Sequence, residues 1–309
     1  MNKKSKWSAL WVMTCLVSLA APGLTYACAC GCGIFDVSSA AMFPTGGGVT
    51  MFVEQDFMNQ DRNWSGTASA PAQDNADKRI RTSFWTVGAQ YMFNRSWSLQ
   101  VEVPYWQRRF VTADDGAVGA FTHSALGDLR LRAAYTGFSD DLSTGITFGM
   151  KLPAGDSSYA HFDPDTQIGT GSTDLLLGAY HMGRLTGDNR WTWFTSAQWQ
   201  QPVMHKDSYR PGAELNGVFG VYYSGWRFGN SWRIAPLLQL AGSYRGHDGG
   251  TLGHPQDSGY SRVFLSPGVQ LDAGKVRLYA DVSRALYTNA SGNQLVASTL
   301  FKMSVSIHF

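Results

Sequence analysis

The last twelve residues of the 309-residue chain, STLFKMSVSIHF, alternate strictly between apolar and polar side chains from Phe301 to Phe309. Successive side chains of a β-strand point to opposite faces, so this segment forms a strand with one apolar and one polar face. The same two-sided pattern recurs at 99–105, 129–135, 146–152 and 276–282. Repeated alternation of this kind predicts an all-β chain.

The spacing of the predicted strands separates a membrane barrel from a soluble β-sandwich, which also has one apolar and one polar face per strand. We predict about twelve strands, at 48–58, 81–93, 96–109, 124–138, 144–153, 173–185, 190–202, 213–225, 230–245, 260–272, 275–287 and 296–309. Long polar connections (59–80, 110–123, 154–172, 203–212, 246–259 and 288–295) alternate with short turns (94–95, 139–143, 186–189 and two further turns near 229 and 274). Outer-membrane barrels combine tight turns on one side with long loops on the other. The prediction is therefore a transmembrane, antiparallel, up-and-down β-barrel over 48–309, and a secreted sandwich is the alternative.

Aromatic residues and the chain end agree with a barrel. Tryptophan and tyrosine side chains cluster near the predicted strand ends, where the rings favour the headgroup level of a bilayer. They include Trp97, Tyr105, Trp106, Trp191, Trp226, Trp232 and Tyr287. A terminal phenylalanine is typical of outer-membrane barrels, and Phe309 is the expected signal for the barrel-assembly machinery.

The first 27 residues have the order of a secretory signal peptide, with basic residues, an apolar run and small residues before Ala27. The formal charge of the full chain is +2. Removing the three leader lysines leaves the mature chain with a net charge of about −1, so nucleic acid is not an expected partner. Because the predicted number of strands is even, the barrel begins and ends on the same side of the membrane. We therefore expect the outer membrane of a Gram-negative bacterium, with both termini in the periplasm.

Cys28, Cys30 and Cys32 follow the predicted cleavage site in the stretch CACGCG. Haem attachment is excluded because no C-x-x-C-H is present. Three alternatives stay open. A disulfide is common in an oxidising compartment, although a C-x-C bridge would be strained. Cys28 is a candidate lipid anchor. Three thiolates on one side of an extended segment suit Cu(I) or Zn.

The predicted periplasmic segment 28–47 joins these cysteines to the first strand. Its apolar residues Ile34, Phe35, Met42 and Phe43 suit a plug that folds back into the lumen. A disordered arm is the alternative. Because a twelve-stranded barrel is wider than one filled by its own side chains and narrower than an open porin, we expect a narrow or plugged pore.

The polar faces of the predicted strands define the residues expected to face the lumen. They are Glu54, Asp56, Glu102, Asp128, Arg130, Arg132, Lys151, Arg277, Asp281 and Lys302. Acidic and basic residues are equal in number, which favours mutual ion pairs over a strongly ion-selective pore.

Three stretches carry a family resemblance: HSALGDLRLRAAY at 123–135, GITFGMKLPAGD at 145–156 and DTQIGTGSTDLLLGAY at 165–180. In these the chain resembles the outer-membrane barrel family named for phenol meta-pathway (MetA-pathway) degradation, although Ala154 stands where that family usually has threonine. The resemblance implies a porin-like transporter that binds or passes a small hydrophobic or aromatic solute, with no required cofactor.

The alternative function is a metal-binding or redox-linked envelope protein, in which the barrel anchors the cysteine segment. An enzyme is not expected. His123 and Ser124 at a strand start could belong to an outer-membrane lipase, but the sequence shows no third orienting residue. A purely structural barrel is the third alternative. The expected partners are the lipid bilayer, the assembly machinery and a small solute.

Overall fold

The computed structural model describes residues 33–37, 46–113, 117–229 and 232–309. These form sixteen strands. The strands are β1 Gly48–Gln60, β2 Arg62–Gly66, β3 Ala68–Ser69, β4 Asp77–Met92, β5 Trp97–Thr112, β6 Gly119–Leu126, β7 Leu129–Tyr135, β8 Thr144–Leu152, β9 Thr173–Arg184, β10 Trp191–Met204, β11 Glu214–Tyr223, β12 Trp226–Phe228, β13 Trp232–Arg245, β14 Tyr260–Ala273, β15 Val276–Val296 and β16 Thr299–His308.

The sheet closes into a twelve-stranded antiparallel barrel. Each wall strand pairs with its neighbours in sequence, and β6 with β7, like β11 with β12, together make one wall strand. The cylinder is closed by β1 and β16, with Thr50 opposite His308 and Phe57 opposite Phe301. Closure pairs the outer edge of the first wall strand with that of the last, which hydrocarbon requires because it cannot satisfy unpaired backbone groups. The predicted fold class is confirmed.

The apolar side chains of each alternating strand face the outer surface, and the polar side chains face the lumen. On β16, Met303 and Val305 are 55% and 44% exposed on the outer surface, whereas Lys302 and Ser304 are 1% and 7% exposed. The outer surface carries exposed apolar side chains on all sides of the barrel, and aromatic side chains lie near its ends. A polar interior inside an apolar exterior is the pattern of a transmembrane barrel.

The two ends of the barrel differ. At one end, which we call the short-turn end, short connections join β4 to β5, β9 to β10 and β14 to β15. Gly274 in the last of these has φ +62°, a conformation that favours glycine. At the opposite, long-loop end, the predicted loops 59–80, 110–123 and 288–295 are wrong in part. They contain β2, β3, the first residues of β4, the β5–β6 hairpin and the end of β15. These hairpins can extend beyond the apolar band because water there forms hydrogen bonds with the backbone groups at their outer edges.

The predicted strand 124–138 is also wrong in one respect, because it is divided at Gly127 and Asp128 into β6 and β7. Pro104 lies beside this break, and its carbonyl accepts a 2.9 Å hydrogen bond from the Gly127 amide. A Cβ at position 127 would contact the Pro104 ring, so glycine permits the close approach.

Helical structure is short. Helix α1 spans Gly33–Val37, and two 3₁₀ turns span Ala72–Asp74 and Pro255–Asp257. Among the described residues, no helix is long and apolar enough to cross a membrane. Helix α1 lies inside the barrel, where it contacts β10, β11 and β13. The remainder of the segment 38–45 and the predicted leader and cysteine region at 1–32 lie outside the described residues.

Candidate solute site in the barrel lumen

The ten charged residues expected in the lumen occupy two kinds of position. Those lining the internal cavity are Glu54, Asp56, Glu102, Asp128, Arg130, Arg132 and Lys151. The other three lie on the same inner face of the last two wall strands. Lys302 and Asp281 are buried, and Arg277 forms a 2.8 Å ion pair with Asp272 nearer the short-turn end.

Lys302 connects the first and last wall strands with helix α1. Its Nζ lies 3.1 Å from Glu54 Oε1 and 3.9 Å from Asp56 Oδ1. It also donates a 2.5 Å hydrogen bond to the backbone carbonyl of Phe35. One buried ammonium thus faces two wall carboxylates and satisfies a carbonyl of the helix.

A second set of buried pairs lies on the opposite wall. Lys151 Nζ is 2.8 Å from Asp174 Oδ2 and 3.4 Å from Asp128 Oδ2. Arg132 pairs with Glu102 and donates a 2.8 Å hydrogen bond to Gln198 Oε1. Buried charges in such networks are paired because an isolated one would cost several kcal/mol.

Sequence reasoning missed a third pair network near the long-loop end. Arg245 binds Glu214 at 3.0 Å and Asp248 at 2.6 Å, and the Asp248 carboxylate accepts a 3.0 Å hydrogen bond from Tyr209. Asp174 was missed as well. These residues lie at strand ends or in loops, where the period-two pattern stops. The only signal available was an isolated charge beside an aromatic or glycine-rich stretch.

Helix α1 packs against the inner wall of the barrel. Ile34 and Phe35 are buried in an apolar cluster whose wall members are Met58, Phe84, Phe194, Val218, Ala241, Phe264, Ala297 and Leu300. The Phe35 and Phe84 rings are 5.6 Å apart. A side chain at Gly33 would collide with Glu214 and Asn216, so the helix begins as close to the wall as the backbone allows.

The connection 153–172 folds over the long-loop end of the lumen. Phe162 packs edge-on against Phe110 at 5.7 Å and joins an apolar cluster with Ile80 and Leu295. Arg108, on the lumen side, holds the connection by donating hydrogen bonds to the carbonyls of Thr166 and Gln167. The connection is therefore a packed cover over the mouth.

A cavity lies between helix α1 and this cover. Its apolar lining consists of aromatic and proline side chains, namely Phe35, Phe52, Phe84, Pro104, Trp106 and Pro211. Trp106 and Phe84 meet edge-to-face at 4.8 Å. The other walls carry the ion pairs described above, so the site offers ring surface beside charges that are already neutralised.

The barrel wall beside this cavity has a discontinuity at β6. Strand β6 pairs with β5 along one edge, and no strand of the described chain pairs with its other edge. Strand β8 ends at Leu152, opposite Leu129, and so stops short of β6. At the base of the gap, Gly127, Gly155 and Gly169 pack backbone against backbone. The cover 153–172 fills the gap without extending the sheet.

His123 on the inner face of β6 holds the cover in place. Its Nε2 lies 2.8 Å from Asp156 Oδ2, and its ring stacks on Tyr159 at 4.1 Å. The sequence offered no orienting residue for His123, and the structure supplies Asp156. Ser124, however, is the next residue of the strand and points to the opposite face, so a serine–histidine pair is not assembled there.

We expect the cover to loosen in acid. Hydrogen bonds from Ser158, together with His123, hold the pKa of Asp156 below its usual 3.8. A carboxyl with a lowered pKa contributes stability above its ordinary value, and this contribution is lost as the pH falls through the lowered pKa. Amide hydrogen exchange of 155–169, corrected for intrinsic rates, should rise below about pH 4. An Asp156→Asn variant should show fast exchange already at pH 7, and equal exchange in the two proteins would contradict this role.

Cys28, Cys30 and Cys32 lie outside the described residues, and so their contacts are not described. Within 33–37, 46–113, 117–229 and 232–309, no three histidine, cysteine or carboxylate side chains form a metal-binding group.

The fold can be compared with known proteins. No protein-family model and no curated protein matches the chain, so the resemblance to the phenol meta-pathway family stays a prediction. The structure is similar to an outer-membrane channel from Pseudomonas putida F1, with 16% identity, a TM-score of 0.63, and coverage of 88% of this chain and 100% of that one. It is also similar to the β domain of the Bordetella autotransporter BrkA, with 12% identity, a TM-score of 0.51, and coverage of 85% and 100%. At these identities the likeness is one of fold, and the chain has the fold of outer-membrane β-barrels.

Proposed function

We propose that this protein is an outer-membrane channel that binds and passes a small, predominantly apolar or aromatic solute. The observation that carries the proposal is the aromatic cavity between helix α1 and the cover 153–172. A ring-shaped solute in this cavity would contact Phe84 and Trp106 by edge or face, which stabilises aromatic pairs by about 0.5–1.5 kcal/mol beyond area burial.

The charges of the lumen support a neutral solute. Lys302, Lys151, Arg132 and Arg245 each have carboxylate partners within the wall. Ion selectivity needs a ring of charges of one sign. A wall of paired charges instead gives an incoming ion little compensation for its lost hydration, so ions are poor substrates of this site.

The gap beside β6 supports a lateral route. An apolar solute partitions into the bilayer and would reach the barrel from the side. Leu126 and Tyr105 pair at the end of β6 that is nearer the short-turn end of the barrel. They are exposed on the outer surface at 52% and 47%. The gap therefore begins within the apolar band, and displacement of the cover would join the cavity to the hydrocarbon.

Replacing Trp106 with alanine is expected to weaken solute binding about tenfold, since a lost aromatic contact of about 1.4 kcal/mol corresponds to that factor. The measurement is equilibrium binding of radiolabelled naphthalene to the barrel in lipid nanodiscs, corrected for empty nanodiscs. Trp97→Ala, on the outer surface, is the matched control and should bind like the wild type. Binding that does not saturate, or that is equal in all three proteins, would overturn the proposal.

The placement of the protein is part of the proposal. The long-loop end faces outside the cell, both termini face the periplasm, and Phe309 is read by the barrel-assembly machinery after a leader at 1–27 is removed. The support is the sequence pattern of the leader together with the difference between the two ends of the barrel.

We keep the cysteine segment as a second proposal, in which Cys28, Cys30 and Cys32 bind Cu(I) or Zn. Cys32 directly precedes Gly33, which lies against the inner wall at Glu214. Metal binding there would couple thiol chemistry to the position of helix α1. Copper and zinc titrations of the mature protein and of a variant with all three cysteines replaced by serine test the proposal, which fails if the two proteins bind equally.

A further inference from the structure

Three arginines form an exposed cluster on the outer surface near the long-loop end. Arg81 on β4 and Arg109 on β5 are directly opposite each other in the register, and Arg79 lies two residues from Arg81 on the same face. All three are exposed. Like charges placed directly opposite across two antiparallel strands repel each other, so this arrangement costs stability in the absence of an anion.

Among the described residues, no ion pair offsets that repulsion. In the part of the chain that the structure describes, no carboxylate forms an ion pair with Arg79, Arg81 or Arg109, whereas Arg132, Arg233, Arg245 and Arg277 all have one. The outward neighbours on the Arg81–Arg109 rung are Asn59 on β1 and Thr122 on β6, which are polar and uncharged. The nearby Asp61 accepts a 2.6 Å hydrogen bond from the Asn59 side chain and forms no ion pair with the three arginines. The cluster thus places three positive charges close together on the outer surface, none of them in an ion pair within the described chain.

The cluster lies at the depth of lipid headgroups. Arg81 is ten residues from Tyr91 on β4, an exposed ring near the short-turn end. Ten residues span about 33 Å along a strand, or about 25 Å along the membrane normal at a usual barrel tilt of about 40°. This matches the height of about 25 Å of the apolar band of outer-membrane barrels, with Tyr91 at one boundary and the arginines at the other.

From the cluster toward the short-turn end, the outward side chains become less polar, as a lipid does from its headgroup to its acyl chains. The next outward rung toward the short-turn end carries Ser83 and Gln107, and the rung after it carries the ring pair Trp85 and Tyr105. Aliphatic side chains follow, and a shallow outer groove runs between them, lined by Val53, Val87, Ala89, Val101, Val103 and Val305. Charged, polar, aromatic and aliphatic levels thus follow one another along a single stripe.

We infer that Arg79, Arg81 and Arg109 bind the phosphate of a lipid A headgroup, the anchor of lipopolysaccharide in the outer leaflet. Guanidinium groups bind phosphate oxygens in bidentate geometry, and three of them together favour a group with more than one negative charge. The acyl chains would lie on the stripe below. This inference rests on the outer-membrane placement proposed above, because only that placement brings the long-loop end to the leaflet that contains lipid A.

The test uses the mature barrel with Arg79, Arg81 and Arg109 all replaced by glutamine. Exposed outward positions tolerate this change, and the heat-dependent shift in gel migration that marks a folded barrel checks it. The matched control replaces Arg184 and Arg227, two exposed arginines at the short-turn end, with glutamine. The probe is purified diphosphoryl lipid A, added to delipidated protein and measured as lipid adducts by native mass spectrometry.

We expect the wild type and the control to retain diphosphoryl lipid A about tenfold or more better than the triple variant, since each charge-assisted hydrogen bond is worth more than a tenfold change in binding. Dephosphorylated lipid A should bind poorly to all three proteins. Equal retention by the wild type and the triple variant would overturn the inference. Retention of phosphatidylglycerol as strong as that of lipid A, or full competition by millimolar inorganic phosphate, would overturn lipid A as the occupant. Solute binding is not part of this assay, so failure of the channel proposal would leave its outcome unchanged.

Discussion

Replacing Phe35 with serine is expected to raise the ion conductance of the barrel in a planar bilayer severalfold. Phe35 is buried against Phe84 and the surrounding apolar cluster, and together with Ile34 it supplies apolar surface that holds helix α1 in the lumen. Removing a buried phenylalanine costs about 3–5 kcal/mol. A loss of that size shifts a two-state docking equilibrium by about 10² to 10³-fold or more, enough to convert a mostly closed pore into a mostly open one.

A matched control distinguishes an open pore from a damaged barrel. Phe57 on the outer surface faces Phe301 of the neighbouring strand, with ring centroids 6.3 Å apart. Phe57→Ser also removes a phenylalanine from β1, but it leaves the lumen unchanged and should conduct like the wild type. If Phe35→Ser conducts like the wild type as well, helix α1 does not limit the pore.

Replacing Lys302 with methionine is expected to lower the free energy of unfolding by about 3–5 kcal/mol. The change removes the counter-charge of Glu54 and Asp56 and the hydrogen bond to the Phe35 carbonyl, while nearly preserving side-chain volume. Removing one member of a buried ion pair has this cost because the remaining charge is left uncompensated. Urea titration of the barrel refolded in lipid vesicles measures the change.

Neutralising the carboxylates should restore most of this loss. In the combined variant Lys302→Met, Glu54→Gln, Asp56→Asn and Asp281→Asn, all three carboxylates that face the ammonium are replaced by neutral amides. Replacing a buried ion pair by neutral groups is often close to neutral in stability. A single Lys302→Met variant as stable as the wild type would show that water already solvates these carboxylates. A combined variant no more stable than the single one would show that the Phe35 hydrogen bond dominates.

The closed barrel could be predicted because its information is local. Lys302, Ser304 and Ser306 alternate with Met303 and Val305, and a strand sends alternate side chains to opposite faces whatever its neighbours are. Alternating long and short connections then ordered the strands as hairpins. The division of β6 from β7 was not predicted, because Gly127 and Asp128 continue the polar and apolar pattern closely enough to resemble an unbroken strand.

The sequence by itself determined which side chains face lipid and which face the lumen, since that depends on the two-residue period of each strand. Only the tertiary structure decided which of them meet. Lys302 reaches Glu54 because closure brings the last wall strand beside the first, and Lys151 lies between Asp128 and Asp174 through the register of three strands. Only the tertiary structure decided that helix α1 packs in the lumen and that one edge of β6 has no strand beside it in the described chain. Contacts between residues far apart in sequence depend on the register in which the closed sheet pairs its strands, and no local pattern fixes that register.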